Sequence, residues 1–348
     1  MEQFIFSILG DSILAHIVLS ALPLVFILPY ALVTIYVEMK MAAHMQNRVA
    51  YMRTGWHGTL QPFADILKLL QKEDIIPTAA NKLLFILAPY LVFVGTYASF
   101  AVLPFSSQYV GSSVDLGLFY LVAVSSFVVV GILMAGWASN NKWSLFGAMR
   151  SAAQIISYEI PTALVILAVV MIVGSLSTQE ISKFQTGGIQ HWLIFGGSLP
   201  LMKKLSLFPF MLILFLIYYV CSMAEVNRTP FDIPEAESEL VQGYNTEYSG
   251  MKFAIFYLAE YANLFLVSAI AVILFFGGWA SPFGHFLSGG MWDVFWFVTK
   301  GMVFVCLNIW LRWTLPRLRV DQLMYVSWKV LTPIALFCVI GVGVVLVW

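Results

Sequence analysis

The sequence predicts an all-α polytopic membrane protein with about eight transmembrane helices and one amphipathic helix on the cytoplasmic side. Its 348 residues are 61% hydrophobic and only 10% charged, whereas a soluble domain carries about 25% charge. Mean hydropathy is +0.88. The apolar residues form continuous runs rather than the alternating segments of about ten residues typical of a β-barrel. The formal net charge is zero, so we expect lipid and not nucleic acid as a partner.

Eight apolar runs are long enough to cross a bilayer core, which needs about 20 helical residues. No repeat or linker divides the chain, so we predict a single transmembrane helical domain over 1–348. Pro23 and Pro29 predict a kink or local loosening in the first span. The predicted spans are approximately 12–37, 83–104, 116–138, 155–176, 205–224, 253–279, 293–311 and 329–348.

Most of the 18 basic residues stand in alternate loops between these runs. The positive-inside rule places such loops in the cytoplasm. It therefore predicts that both termini lie on the outer side of the membrane. The loops concerned are 38–82, 139–154, 225–252 and 312–329.

The first of these loops contains a short amphipathic helix of about ten residues, too short to span a bilayer. Pro62 is well placed in its first turn. One interpretation is a helix lying at the membrane interface, and the other is a wall of a cavity open to lipid. Its apolar positions are Phe63, Ile66, Leu67 and Leu70, and its polar face carries Asp65, Lys68 and Lys72.

One third of the acidic residues stand in the stretch AEVNRTPFDIPEAESELVQGYNTEYSG, residues 224–250. Pro234 predicts a helix start, with Glu235, Glu237 and Glu239 in the first turns. Glu235 and Glu239 would share a helix face, where like charges repel. The acids form either a solvated acidic loop or a partly desolvated cluster that shares protons.

Two further acids lie inside apolar runs, where an ionised group is costly. Glu159 lies about one turn inside the fourth apolar run, with Arg150 as a possible partner, and Glu260 lies within the sixth span. Two interpretations stay open: a structural ion pair at a helix end, and a carboxylate on a proton or ion route.

The chain lacks the motifs of a self-contained catalytic centre. Cys221, Cys306 and Cys338 sit in apolar runs without a CxxC pair, so we expect buried, unpaired thiols and no metal site. There is no GxGxxG, P-loop, GxSxG or HExxH sequence. Function must therefore come from passage of something through the chain, from partner proteins, or from both.

Four long stretches, in the same order, resemble the signatures of the H subunit of proton-pumping NADH:quinone oxidoreductase, respiratory complex I. They are LQPFADILKLLQKE, GWASNNKWSLFGAMRSAAQIISYEIP, the acidic stretch followed by FAIFYLAEYAN, and RWTLPRLRVDQLMYVSWKVLTP. The resemblance covers nearly the whole chain. It implies a subunit at the heel of the membrane arm, which forms the access tunnel for its substrate quinone and couples quinone reduction to proton translocation.

The resemblance also implies roles for single residues and partners. The proton path would contain Asp65, Glu159, Glu225, Glu235, Glu237, Glu239 and Glu260. The quinone tunnel and docking surface would contain Glu38, Arg48, Phe63, Arg150, Arg317 and Arg319. The chain would bind no cofactor alone, because the iron–sulfur clusters and FMN belong to partner subunits. Those partners are the peripheral quinone-site and terminal-cluster subunits, the small membrane subunits and the antiporter-like subunits.

The chain departs from the family pattern in its first loop. The family's Glu-Arg-Lys is Glu38-Met39-Lys40 here, and RVAYMRTGWHG replaces a loop with Gly-Pro turns. Gly55 and Gly58 are then the available flexible points. The resemblance implies a bacterial inner membrane, or alternatively an organellar one. Two alternative functions stay open: a membrane subunit of an energy-converting hydrogenase, and a stand-alone secondary transporter.

Overall fold

The fold of the described part of the chain is entirely helical, with no β-strand. It is known from a computed structural model that describes residues 13–107, 111–112, 114–234, 237–284 and 286–348. The helices are α1 (Ile13–Met45), α2 (Gln61–Gln71), α3 (Lys82–Ser99), α4 (Gly117–Ala138), α5 (Lys142–Val173), α6 (Thr178–Phe184), α7 (Leu201–Glu225), α8 (Glu237–Leu240), α9 (Gly250–Phe275), α10 (Met291–Thr314), α11 (Val320–Tyr325) and α12 (Thr332–Val347). A π-helical turn, Val326–Leu331, joins α11 to α12.

Eight helical segments of the described chain are long and apolar enough to cross a membrane, as predicted. The division into one domain stays a prediction. The segments are Ala21–Met45, Lys82–Val102, Gly117–Ala138, Lys142–Val173, Leu201–Glu225, Gly250–Phe275, Met291–Thr314 and Val320–Val347.

Two predicted spans are longer than expected at their polar ends. α1 continues to Met45 and runs without interruption through Pro23 and Pro29. α5 begins at Lys142, where the side chain of Asn141 accepts a hydrogen bond from the Trp143 amide at 2.9 Å. Such a cap satisfies one of the free amides at a helix start. Hydropathy alone missed these turns because they carry polar residues.

The helix α9 lies at the centre of the bundle. In its most apolar window 83% of the residues are buried, against 28–50% in the other seven spans. It packs against α1, α2, α3, α7 and α10. A side chain on α9 is therefore surrounded by protein rather than lipid. An ionisable group on this helix must find a partner among its neighbours.

The amphipathic helix α2 forms as predicted, with Pro62 in its first turn, and it packs against α1 and α9. Phe63 on its apolar face stays 54% exposed. The loop before it turns at Gly55 and Gly58, whose φ angles are +73° and +81°. A Cβ on Gly58 would lie 2.3 Å from the carbonyl oxygen of Tyr51. The two glycines that the sequence offered as flexible points are thus the ones that shape the loop.

Candidate carboxylate site

Three charged side chains from three elements meet beside α9. Glu38 comes from the last turns of α1, Arg228 from the loop after α7, and Glu260 from α9. The guanidinium of Arg228 lies 2.8 Å from Glu38 Oε1 and 2.8 Å from Glu260 Oε1. The side chains of Glu38 and Arg228 are each only 5% exposed. The described structure thus pairs a deeply buried arginine with two carboxylates.

Two more side chains complete this arginine-braced cluster, which consists of Glu38, Arg228, Glu260, Tyr261 and Arg312. Arg312 Nη1 donates a hydrogen bond to Glu38 Oε1. The Tyr261 hydroxyl donates to Glu38 Oε2 at 2.8 Å, and its ring lies 4.7 Å from the Arg228 Cζ. The cluster therefore joins α1, α9, α10 and the loop after α7.

The charges in the arginine-braced cluster balance, with two guanidinium groups facing two carboxylates. Burial disfavours the charge on Arg228, but attraction by the Glu260 and Glu38 carboxylates outweighs it and raises the Arg228 pKa well above its ordinary value. Arg228 therefore stays charged at any physiological pH. A permanent cation at this position holds its two carboxylates in place.

A second arginine–carboxylate pair extends this region toward the protein surface. Arg317 Nη2 donates to Asp232 Oδ2 at 3.0 Å. Burial of the Asp232 carboxyl raises its pKa, and the nearby charges of Arg317 and Arg312 offset only part of this effect. The backbone amide of Leu318 also donates to the Pro230 carbonyl at 3.0 Å. The acidic stretch is thus fastened to the segment that follows α10.

A different pair of carboxylates lines a cavity between α4, α5, α7 and α9. Glu159 and Glu225 share this cavity of about 30 Å³ with Ser125 and Thr162 and with apolar walls. Glu159 Oε1 is buried and has no hydrogen-bond partner among the described residues. Within the same part of the chain, neither acid is ion-paired. The volume exceeds the roughly 10–15 Å³ that one water molecule needs.

The suggested partner of Glu159 was wrong. Glu159 lies in the middle of α5, seventeen residues after Lys142. Its suggested partner Arg150 pairs instead with Glu239, at 2.5 Å. The error arises because α5 begins earlier than its apolar run, so Arg150 and Glu159 lie on the same helix, more than two turns apart.

The Glu225 carboxyl also faces a second, smaller cavity of about 10 Å³. This cavity is lined by Thr96, Ser99 and Asn263 as well as by residues of the first cavity, among them Ser125. The hydroxyl groups of Thr96, Ser99 and Ser125 each donate to a backbone carbonyl of their own helix. Their oxygen atoms therefore remain available as hydrogen-bond acceptors.

The other predicted proton-path acids stand apart from these two groups. Glu239 is 57% exposed in its pair with Arg150. Asp65 is 47% exposed, lies 3.7 Å from Lys68 and accepts a hydrogen bond from Gln61. The predicted helix after Pro234 is reduced to the single turn α8. Glu235 and the side chain of Glu237 lie outside the described residues.

The remaining predicted tunnel and docking residues are at the surface. Arg48 is exposed, and its Nε donates to the Gln46 side chain at 2.6 Å. Arg319 pairs with Asp321, with both side chains more than 70% exposed. Arg317 is the partner of Asp232. These arginines thus share an exposed position but not a common contact.

Sequence reasoning missed Arg228, Tyr261 and Arg312. A weak signal was present, since Arg228 stands inside the acidic stretch and Arg312 lies in the last turn of a span. A charge at such a position needs a partner. Only the packing of four elements showed which carboxylates supply it.

The described part of the chain holds no group of His, Cys, Asp and Glu residues able to bind a metal ion. The three cysteines are free thiols. Cys221 and Cys338 are buried as expected, whereas Cys306 is only half-buried.

Comparisons with a family model and with known proteins point to the same family. The family model described as NADH dehydrogenase matches residues 18–343. The NADH-quinone oxidoreductase H subunit of Chlorobaculum tepidum is 52% identical over 334 residues, covering 93% of this chain and 90% of the relative. The corresponding H subunits of Chlorobium luteolum and Anaeromyxobacter dehalogenans are 53% and 46% identical, over 92% and 88% of this chain and 87% and 76% of their own lengths. The chain therefore belongs to the NADH dehydrogenase family, together with these H subunits of NADH-quinone oxidoreductase.

Proposed function

We propose that this chain is the membrane subunit of a proton-translocating NADH:quinone oxidoreductase that forms the quinone access tunnel and carries protons through a series of carboxylates. The observation that carries the proposal is the presence of two differently partnered groups of buried carboxylates around α9. The names of its relatives support the quinone-reducing enzyme rather than the hydrogenase or a stand-alone transporter.

Glu159 and Glu225 are the proposed proton carriers. A carboxylate fixed by an arginine changes its protonation only at a large energetic cost. Neither of these two acids has such a partner among the described residues, and both face a cavity with room for water. Water bridging two carboxyl groups provides a route for proton transfer. Glu225 would pass protons between the two cavities that it lines.

Glu260 is the proposed link between this path and the quinone site. It faces Arg228 in the arginine-braced cluster and lies on α9, which also contributes Leu266 to the cavity of Glu159 and Glu225. A negative charge forming on quinone near Glu38 would disturb the balance of this cluster. Asp65, Glu235, Glu237 and Glu239 are the proposed approach to the path from the cytoplasmic side.

The quinone tunnel is proposed to pass between α2 and the arginine-braced cluster, with Phe63 in its wall and Glu38 at its inner end. α2 packs against both α1 and α9, which carry Glu38 and Glu260. The proposed docking surface for the peripheral subunits consists of Arg48, Arg150, Arg317 and Arg319. The partner subunits would hold the FMN and iron–sulfur clusters. Placement in a bacterial inner membrane with both termini outside belongs to the same proposal.

The substitution Glu225→Gln tests the proton path. It keeps the shape of the side chain but removes the titratable group, so the assembled complex should lose proton pumping by about tenfold or more, a barrier increase of about 1.4 kcal/mol. Pumping is measured in proteoliposomes together with turnover-induced infrared difference spectra. Glu73→Gln, at an exposed position of the same chain, is the control. Unchanged pumping and unchanged carboxyl bands in Glu225→Gln would remove Glu225 from the path.

The substitution Phe63→Arg tests the quinone tunnel. A charge in an apolar tunnel wall should hinder a long isoprenoid tail more than a short one. We expect the KM for long-tailed quinones to rise about tenfold and that for short-tailed quinones to change less, since one desolvated polar group costs about 1–3 kcal/mol. Gln71→Arg adds the same charge at the exposed end of α2 and serves as the control. Equal impairment with both quinones would contradict a tunnel role.

A further inference from the structure

The first turn of α9 carries a buried lysine outside both carboxylate groups. Lys252 is only 6% exposed, close to the 4% of Arg228. Its Nζ lies 2.9 Å from Asp74 Oδ2 and 5.3 Å from the centre of the Phe85 ring. A buried cation is costly unless it is paired. The Lys252–Asp74 pair therefore holds Asp74 at this point of the bundle.

Asp74 belongs to the segment 72–81, which joins the amphipathic helix α2 to α3. Two neutral contacts fasten the same segment to the start of α9. The Ile75 amide donates to Ser249 Oγ at 3.2 Å, and that hydroxyl donates to the Glu73 carbonyl at 3.2 Å. The chain that leaves α2 thus lies directly against the beginning of α9, and the Lys252–Asp74 pair is the charged contact between them.

The helix α2 depends on contacts of this kind for its position. It has 11 residues, and an isolated helix shorter than about 12–15 residues is marginal in water. Three of its apolar side chains are 44–55% exposed, namely Phe63, Leu67 and Leu70. Packing therefore holds only part of its apolar face. The link from its C-terminal end to α9 supplies a constraint that packing does not.

The Lys252–Asp74 pair also connects two parts of the proposed quinone site. α2 is the proposed tunnel wall, and α9 carries Glu260 and Tyr261 of the arginine-braced cluster. Lys252 stands eight residues before Glu260 on the same helix, about 12 Å along its axis. Fixing the end of α2 at Lys252 thus fixes the distance between the wall and the cluster.

We propose that Lys252 and Asp74 are positioning residues, which hold α2 against α9 and thereby keep the tunnel wall in place. This role rests on the quinone tunnel proposed above. Neither side chain touches quinone, since both act through α2. Loss of the pair lets α2 move away from α9, so the tail of a long quinone loses part of its wall.

Hydrogen–deuterium exchange of peptides covering 61–71, measured by mass spectrometry on the assembled complex, reports how often α2 opens. Lys252→Met keeps an unbranched side chain but removes the charge, so exchange should rise about fivefold, which corresponds to about 1 kcal/mol. Asp74→Asn should raise it about tenfold or more, because the buried Lys252 charge remains unpaired. The double variant should match Lys252→Met, since the pair can be broken only once.

Three variants serve as controls for the exchange measurement. Glu73→Gln and Lys82→Met each remove one exposed charge from the same region, and neither side chain is ion-paired among the described residues. Asp74→Glu keeps the carboxylate at a half-exposed position. All three should leave the exchange of α2 at the wild-type level.

Quinone kinetics separate positioning from a general loss of stability. In Lys252→Met and Asp74→Asn, the KM for long-tailed quinones should rise about threefold, because the binding-competent arrangement of α2 is less populated. The KM for short-tailed quinones should change less, and kcat should stay the same, as expected when binding alone is weakened. A purely structural role would lower the amount of assembled complex without changing the ratio of the two KM values.

Three outcomes would overturn the proposal, and they differ from one another. Unchanged exchange of α2 in Asp74→Asn would show that the pair does not hold this helix. Raised exchange with unchanged KM values, where Phe63→Arg does raise KM, would reject the positioning role and leave the tunnel intact. Unchanged KM values in all variants, Phe63→Arg included, would reject the tunnel itself and with it the role of the pair.

Discussion

The arginine-braced cluster and the Glu159–Glu225 cavity differ in whether their buried carboxyl groups have a cationic partner. In the cluster, Glu38 and Glu260 lie within ion-pair distance of Arg228, and a tyrosine hydroxyl saturates the second Glu38 oxygen. In the cavity, Glu159 and Glu225 both line mostly apolar walls, and no cation stands among the described lining residues. Both groups touch α9.

This difference separates fixed charge from exchangeable charge. Removing one partner from a saturated buried ion pair leaves the other charge uncompensated, which is strongly unfavourable. An acid without such a partner can gain or lose a proton when its surroundings change, because nothing else depends on its charge. We therefore infer that the cluster organises four elements and that the cavity transfers protons.

The largest expected effect comes from Arg228→Met, which removes the cation shared by Glu38 and Glu260. We expect a loss of about 3–5 kcal/mol in stability, since two buried carboxylates remain with reduced compensation. The measurement is the amount of assembled complex and its midpoint of thermal unfolding. Lys68→Gln is the control, because the contact of this 71% exposed side chain with Asp65 at 3.7 Å should contribute less than about 1 kcal/mol. Equal losses in both variants would abolish the distinction between the cluster and surface pairs.

A direct comparison of one acid from each group should give the next largest effect. Glu38→Leu leaves Arg228 and Arg312 short of a partner, and we expect a loss of about 3 kcal/mol or more. Glu159→Leu replaces an acid whose Oε1 lacks a hydrogen bond by an apolar group of similar size, so stability should change by less than about 1.5 kcal/mol. Thermal unfolding of both purified complexes decides the matter. Greater destabilisation by Glu159→Leu than by Glu38→Leu would contradict the assignment of fixed charge to the cluster and exchangeable charge to the cavity.

The smallest effect is expected at the edge of the arginine-braced cluster, at Asp232. Its pKa in the folded protein is raised above the ordinary value of 3.8, chiefly by burial. Between the pKa of Asp232 in the unfolded state and its higher pKa in the folded state, the folded protein retains a proton that the unfolded chain has lost. Stability therefore falls as pH rises through this interval. Relative to the wild type, Asp232→Asn should gain stability over the same interval, by at most about 1.4 kcal/mol per pH unit.

The measurement is the midpoint of thermal unfolding as a function of pH. Asp321→Asn is the matched control because its side chain is 72% exposed. A gain for Asp232→Asn that does not grow with pH would contradict the burial effect at Asp232.

The spans could be predicted from hydropathy because every helix that crosses lipid needs apolar side chains and must form its backbone hydrogen bonds within itself. The eight predicted runs correspond to the eight helical segments. The polar ends could not be predicted in this way, and α5 is the clearest example. Its first three turns carry Lys142, Ser144 and Arg150, so the apolar run starts later than the helix.

The candidate site was predictable in its residue types but not in its contacts. Glu159, Glu225 and Glu260 were recognisable as acids in or next to apolar runs. Their partners were not, because Arg228 and Arg312 are separated from Glu38 by 190 and 274 residues. Local spacing suggested Arg150 for Glu159, and the fold brings Arg150 to Glu239 instead.

The sequence by itself determined the membrane class, the number of spans, the amphipathic helix and the family. These follow from composition, from the helical spacing of apolar residues and from long motifs, all of which are local properties of the chain. The tertiary structure alone decided which acids are paired with arginine and which line a cavity. The physical reason is that compensation of a buried charge depends on distances of a few ångströms between helices, and the chain order does not encode those distances directly.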